Sequence, residues 1–134
     1  MKRMFTVLAL VTLASCRPDA GSPVVRMVEV DGRQVRVQTS GLDTRDEATP
    51  IVVLEAGFMF DGLSAWTSII GDVAAFAPVV AYDRAGIGES EPDGQVPTPE
   101  HVVADLRAVL DALDAPPPYV LVGHSLGGAF IRMY

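Results

Sequence analysis

Tyr119-Val120-Leu121-Val122-Gly123-His124-Ser125-Leu126-Gly127 is the stretch on which the reading of this chain turns. Residues 119–122 are apolar without alternation, as suits a strand buried on both faces. They run directly into G-x-S-x-G, after which Leu126, Ala129, Phe130 and Met133 begin a stripe at helical spacing. A strand that reverses into a helix within about five residues holds its serine in strained backbone, where flanking side chains would collide. Gly123 and Gly127 remove those side chains. The Ser125 hydroxyl is then expected to stand exposed at the start of the helix. A neutral serine is a weak nucleophile, so such a site also needs a base for its proton and donors for the oxyanion formed on attack. The five-residue pattern recurs by chance; its position between strand and helix gives it weight.

Outward from the motif, Pro116-Pro117-Pro118 closes a preceding segment in which Val102, Leu106, Val109, Leu110 and Leu113 form one stripe. Thr98-Pro99 opens that helix, Thr as cap and Pro at the first helical position. Ile51-Val52-Val53-Leu54 and Val79-Val80-Ala81-Tyr82 read as two further buried strands. Between them Trp66, Ile69, Ile70, Val73 and Phe76 recur at helical spacing. Nearer the start, residues 24–30 and 33–38 flank Asp31-Gly32, a pair that favours the positive φ angles of a tight hairpin turn. Val35 and Val37 alternate with Gln34, Arg36 and Gln38, so this second strand has one wet face and is expected at a sheet edge. The order is a hairpin followed by strand, helix, strand, helix, strand, helix. That alternation predicts an α/β fold in which parallel strands follow an antiparallel hairpin and helices cover both faces. In such sheets the chemistry lies beyond the carboxyl ends of the strands.

Composition limits the alternatives. The chain has 134 residues, 49% hydrophobic and 20% charged, enough apolar material for a core and unlike a disordered tail. Its net charge of −7 comes with no cluster of basic residues, so nucleic acid is not an expected partner. One cysteine and two histidines without metal-ligand spacing give no metal framework, and no cofactor is expected. At the N-terminus Lys2 and Arg3 precede the uncharged stretch Met4–Ala14, too short to span a bilayer. Residues 1–15 read as a signal peptide, and Leu13-Ala14-Ser15-Cys16 resembles the lipobox of bacterial lipoproteins, in which the cysteine is lipidated. An ordinary secretory signal cleaved nearby is the alternative. Lipidation at Cys16 implies an exported protein held at the cell envelope by a lipid anchor, facing the periplasm or exterior. Residues 16–23 have the composition of a tether, and 24–134 carry the domain.

Three glycine-bearing segments, Glu55-Ala56-Gly57-Phe58, Asp83-Arg84-Ala85-Gly86-Ile87-Gly88-Glu89-Ser90 and Gly123-His124-Ser125-Leu126-Gly127, each follow a buried strand. Together they resemble the α/β-hydrolase superfamily over essentially everything after the tether. The resemblance implies the N-terminal part of that fold, with an incomplete sheet. It also implies Ser125 as the nucleophile and the backbone N–H groups of Leu126 and Phe58 as the oxyanion donors. Where many members have His-Gly this chain has Ala56-Gly57, which removes a side chain that usually braces that loop. Residues 83–90 are expected to be architecture rather than catalysis. His124, next to Ser125, is a poor base because consecutive side chains diverge, and His101 reads as a solvated position near a helix start. Glu55 either pairs with an arginine or lines the site.

In this family the acid and histidine of the triad come from loops after later strands. The resemblance therefore implies a chain cut after the nucleophile elbow, part of a longer serine hydrolase acting on a small ester, ahead of an amide or peptide, through an acyl-enzyme at Ser125. Two alternatives remain: a binding protein that keeps the fold without hydrolysis, and an inactive truncated remnant. Epoxide hydrolase and dehalogenase chemistry is disfavoured, because those relatives carry Asp at the position of Ser125.

Overall fold

In the computed structural model, which describes residues 21–58 and 62–134, the chain begins with an antiparallel hairpin, β1 (Val24–Val30) and β2 (Arg33–Ser40). Asp31 and Gly32 form its turn, both at positive φ (49° and 78°), the backbone that matches the right-handed twist of paired strands. The expected signal segment, Cys16 and most of the tether lie outside the described residues.

Three further strands, β3 (Ile51–Glu55), β4 (Val79–Tyr82) and β5 (Tyr119–Gly123), complete a five-stranded sheet of order β1-β2-β4-β3-β5. β3 pairs in parallel with β4 on one side and β5 on the other, while β2 pairs antiparallel with β4. The α/β architecture expected from the sequence is therefore present, with hairpin and parallel strands in one mixed sheet.

The pleat of β3 and β4 divides the core in two. Ile51, Val53, Val80 and Tyr82 face a cluster with Val35, Val37 and residues Leu106, Val109 and Leu110 of α2 (Pro99–Ala112). Val52, Leu54, Val79 and Ala81 face the opposite way, onto Leu63 and Trp66 of a 3₁₀ turn (Gly62–Trp66) and Ile70 and Ala74 of α1 (Ile70–Ala74). Alternation of side chains along a strand requires this division, and continuously apolar strands are the sequence that fits it. α3 (Gly127–Phe130) follows β5 and contacts both β5 and α2.

α2 starts as its sequence dictates, with Thr98 in extended backbone accepting a bond from the His101 N–H and Pro99 at the first helical position. Three expectations are corrected. β5, expected to be buried on both faces, is half-buried with Val120 exposed, because it pairs only with β3 among the described strands. The segment after β3 is a 3₁₀ turn and a five-residue helix rather than one helix, and Ile69 and Phe76 of its apparent stripe are 40% and 68% exposed. β2 is an interior strand; the edge is β1, whose Val24, Val25 and Met27 are exposed. Past the end of β4, the polar groups of β2 are met by the following loop: Glu91 N–H donates to the Gln34 carbonyl, and Arg36 N–H to the Ser90 hydroxyl.

Candidate active site

β5 ends at Gly123, and two residues later Ser125 has φ of 53°. A non-glycine residue in this left-handed region is uncommon and needs surrounding structure to hold it there. The surroundings are tight. A Cβ on Gly127 would lie 2.2 Å from the Glu55 carbonyl oxygen, and one on Gly123 would lie 2.5 Å from the Gly128 nitrogen. Both are distances that real atoms do not adopt, so the two glycines are steric requirements of the turn. His124 N–H donates to the Glu55 carbonyl at 3.0 Å, which ties the turn to the end of β3. Ser125 is exposed, as the sequence predicts.

The loop after β3 reaches the same place. A Cβ on Gly57 would sit 3.1 Å from the Ser125 Cβ, so the backbone at Gly57 stands against the serine. Among the described residues, neither the Phe58 N–H nor the Leu126 N–H donates a hydrogen bond. Phe58 and Leu126 also share the lining of a cavity of about 250 Å³ with Arg84, Ile87, His101 and Phe130.

Beneath this loop is a buried polar cluster. Glu55 has no solvent exposure; its carboxylate accepts from the Tyr82 hydroxyl at 2.7 Å and from Arg84 Nη1 at 2.6 Å. Burial pushes the Glu55 carboxyl above its ordinary range, with the Tyr82 hydrogen bond and the Arg84 charge pulling against it. Burial, and then the Glu55 charge, holds the Tyr82 hydroxyl well above its ordinary value. The Glu55 alternative is thereby resolved in favour of an arginine partner. Arg84 also donates to the carbonyls of Ala56 at 2.6 Å and Gly57 at 2.7 Å. Asp83, fully buried, accepts from Leu63 N–H at 2.8 Å while its own carbonyl accepts from the Ser90 hydroxyl at 2.7 Å, which fastens the loop 83–90.

A profile of the alpha/beta hydrolase family matches residues 51–134. The chain belongs to this family. Among the curated proteins it is similar to, the uncharacterized protein YqjL of Bacillus subtilis is 34% identical over 85 residues, 62% of this chain and 32% of its own. The epoxide hydrolase VrEH1 from Vigna radiata superposes with a TM-score of 0.64 at 26% identity, over 81% of this chain and 34% of that one. The haloalkane dehalogenase DatA from Agrobacterium tumefaciens gives 0.64 at 25% identity, over 81% and 35%. The chain thus spans about a third of the length of these relatives.

Within this hydrolase scaffold the two histidines lie apart in role. The His101 ring Nε2 is 2.5 Å from the Asp93 carboxylate, a pairing the sequence reading missed. The His124 ring packs edge-on against Trp66, at 6.5 Å between centroids. Among the described residues no side chain is hydrogen-bonded to the Ser125 hydroxyl. Also missed were the contacts of Arg84 with residues 56 and 57. Glu55 and Arg84 at the ends of two neighbouring parallel strands were the available signal.

Proposed function

We propose that Ser125 is the nucleophile of a serine hydrolase that cleaves a small-molecule ester, ahead of an amide or peptide bond. The observation that carries this reading is a serine at positive φ on a glycine-flanked turn, against which the Gly57 backbone is packed. Attack of Ser125 Oγ on a carbonyl carbon sends the π electrons to oxygen, which accepts from the N–H groups of Phe58 and Leu126. A base takes the serine proton and returns it to the leaving alcohol as the C–O bond breaks. Water repeats the sequence on the acyl-enzyme, releasing the acid and restoring the hydroxyl. No cofactor enters these steps. In the family the base is a histidine on a loop after a later strand, and we propose the same source of the base for Ser125.

The relatives' epoxide and haloalkane chemistry does not transfer to this serine. Displacement at a saturated carbon by a carboxylate gives an ester that water can cleave; displacement by a serine gives an ether, which it cannot. A serine nucleophile therefore calls for a carbonyl substrate. In the full gene product a phosphonate probe is expected to label Ser125. Ser125→Ala is expected to abolish labelling and lower ester turnover on the order of 10⁴-fold or more. Turnover unchanged in that variant would end the hydrolase reading.

We further propose export and lipid anchoring at Cys16, on the sequence of residues 13–16 alone. No helix of the described residues is long and apolar enough to cross a membrane. Fatty-acid labelling that disappears in Cys16→Ser, with release from membranes, is the expected result, and labelling that survives the substitution contradicts it.

A further inference from the structure

The Ala56-Gly57 loop lacks the side chain that braces the corresponding loop in many relatives, yet it holds two successive carbonyls in fixed directions. Both are bound by one guanidinium: Arg84 Nη1 donates to the Ala56 carbonyl and Nη2 to the Gly57 carbonyl. The same group is anchored behind by Glu55 and packs over the Phe130 ring of α3 at 5.5 Å. Arg84 thus touches both the loop that carries Phe58 and the helix that follows Ser125.

We infer that Arg84, held by Glu55, is the positioning residue of the oxyanion site, setting the direction of the Phe58 N–H. The inference rests on the serine-hydrolase reading and deepens it. In a trans peptide the carbonyl of one residue and the N–H of the next share a plane and point in opposite directions. A bond from Nη2 to the Gly57 carbonyl therefore fixes the Phe58 N–H, and the bond to Ala56 fixes the plane before it. A positive group on the carbonyl also polarises the peptide, which makes the N–H at its other end a stronger donor.

Neutralising Glu55 alone would not demand this geometry. A single contact satisfies an ion pair, whereas here both terminal nitrogens are directed to neighbouring backbone oxygens. Only the planar fork of arginine spans two such acceptors; a lysine ammonium is a point donor on a flexible stem. Glu55, at 0% exposure, in turn keeps the guanidinium from rotating out, and Tyr82 holds the other carboxylate oxygen.

Two variants of the full gene product test the inference. Arg84→Lys keeps the charge and loses the fork. The paired change Glu55→Gln with Arg84→Met removes both charges together and leaves neither buried ion alone. In each, kcat for a p-nitrophenyl ester is expected to fall about 10- to 100-fold, somewhat less than deletion of an oxyanion donor. KM is expected to stay within about threefold, because the donor acts on the transition state rather than on the bound substrate. Affinity for a trifluoromethyl ketone, which forms the tetrahedral oxyanion on the serine, should weaken in step with kcat. A folded variant with kcat at the parent level overturns the inference, as does activity lost only in proportion to the folded fraction. Failure of the underlying reading appears elsewhere, as ester turnover indifferent to Ser125→Ala with Arg84 intact.

Discussion

At Ser125 the backbone adopts φ of 53°, a conformation in which any Cβ costs free energy and glycine does not. Replacing the serine by alanine and by glycine separates chemistry from strain. Both changes remove the hydroxyl, but only glycine relieves the backbone, so Ser125→Gly is expected to be about 1 kcal/mol more stable than Ser125→Ala. Urea unfolding of the two variants measures the difference, and equal stabilities would mean that the turn is unstrained. The elbow was legible in the sequence because its constraints are local: two glycines and a serine within five residues, between a strand and a helix. Arg84 was not. Its carbonyl partners belong to residues 56 and 57, brought to it only by the pairing of β3 with β4. The one signal, a glutamate and an arginine at the ends of successive buried strands, pointed to the ion pair but not to the two carbonyls.

Helix α2 begins with two devices, one seen in the sequence and one not. Thr98 and Pro99 announce the cap, since both act on the first turn of their own helix. The Asp93–His101 contact joins the preceding loop to that turn. Asp93 lies below its ordinary value of 3.8, chiefly through the bond it accepts from Gln95 N–H and then through His101, with Arg33 adding a weaker attraction. A carboxylate held low in the folded state adds stability above its unfolded value, and that stability is lost as the pH falls through the folded value. Asp93→Asn is accordingly expected to lower stability at neutral pH by up to about 1 kcal/mol, the range of pairs near the surface. The gap between variant and parent should close in acid below pH 3.8, which denaturant titrations at several pH values would reveal. A gap that persists there would assign the effect to something other than the carboxylate charge. The misplacement of β2 at an edge has a similar origin. Its alternating Gln34, Arg36 and Gln38 mark one polar face, which does not decide whether a strand lies at an edge; β4, which pairs with Val37–Ser40 and makes β2 interior, lies some forty residues further along the chain.

Across the whole molecule the two faces of the sheet are closed by separate sets of side chains, but its two edges differ. Among the described residues β5 pairs only with β3, and Val120 on it is 48% exposed. Unpaired N–H and C=O groups along such an edge template association with another strand. Residues 16–134 expressed by themselves are therefore expected to self-associate, and Val120→Lys to reduce that tendency; light scattering after size-exclusion chromatography reads both. A monomeric, cooperatively unfolding product would contradict this. The strand order also dictates a sequence of assembly. β3, at the centre of the parallel strands, is made early in synthesis but waits for partners that emerge later, first Val79–Tyr82 and then Tyr119–Gly123. Contacts between residues so far apart in the chain close slowly, because the entropy of the intervening loop is lost before the contact forms. The hairpin of β1 and β2, whose partners are neighbours, is free to form first. Docking of Tyr119–Gly123 against Ile51–Glu55 then brings the serine turn to the 56–58 loop, so reactivity toward a phosphonate should be the last native property to appear during refolding.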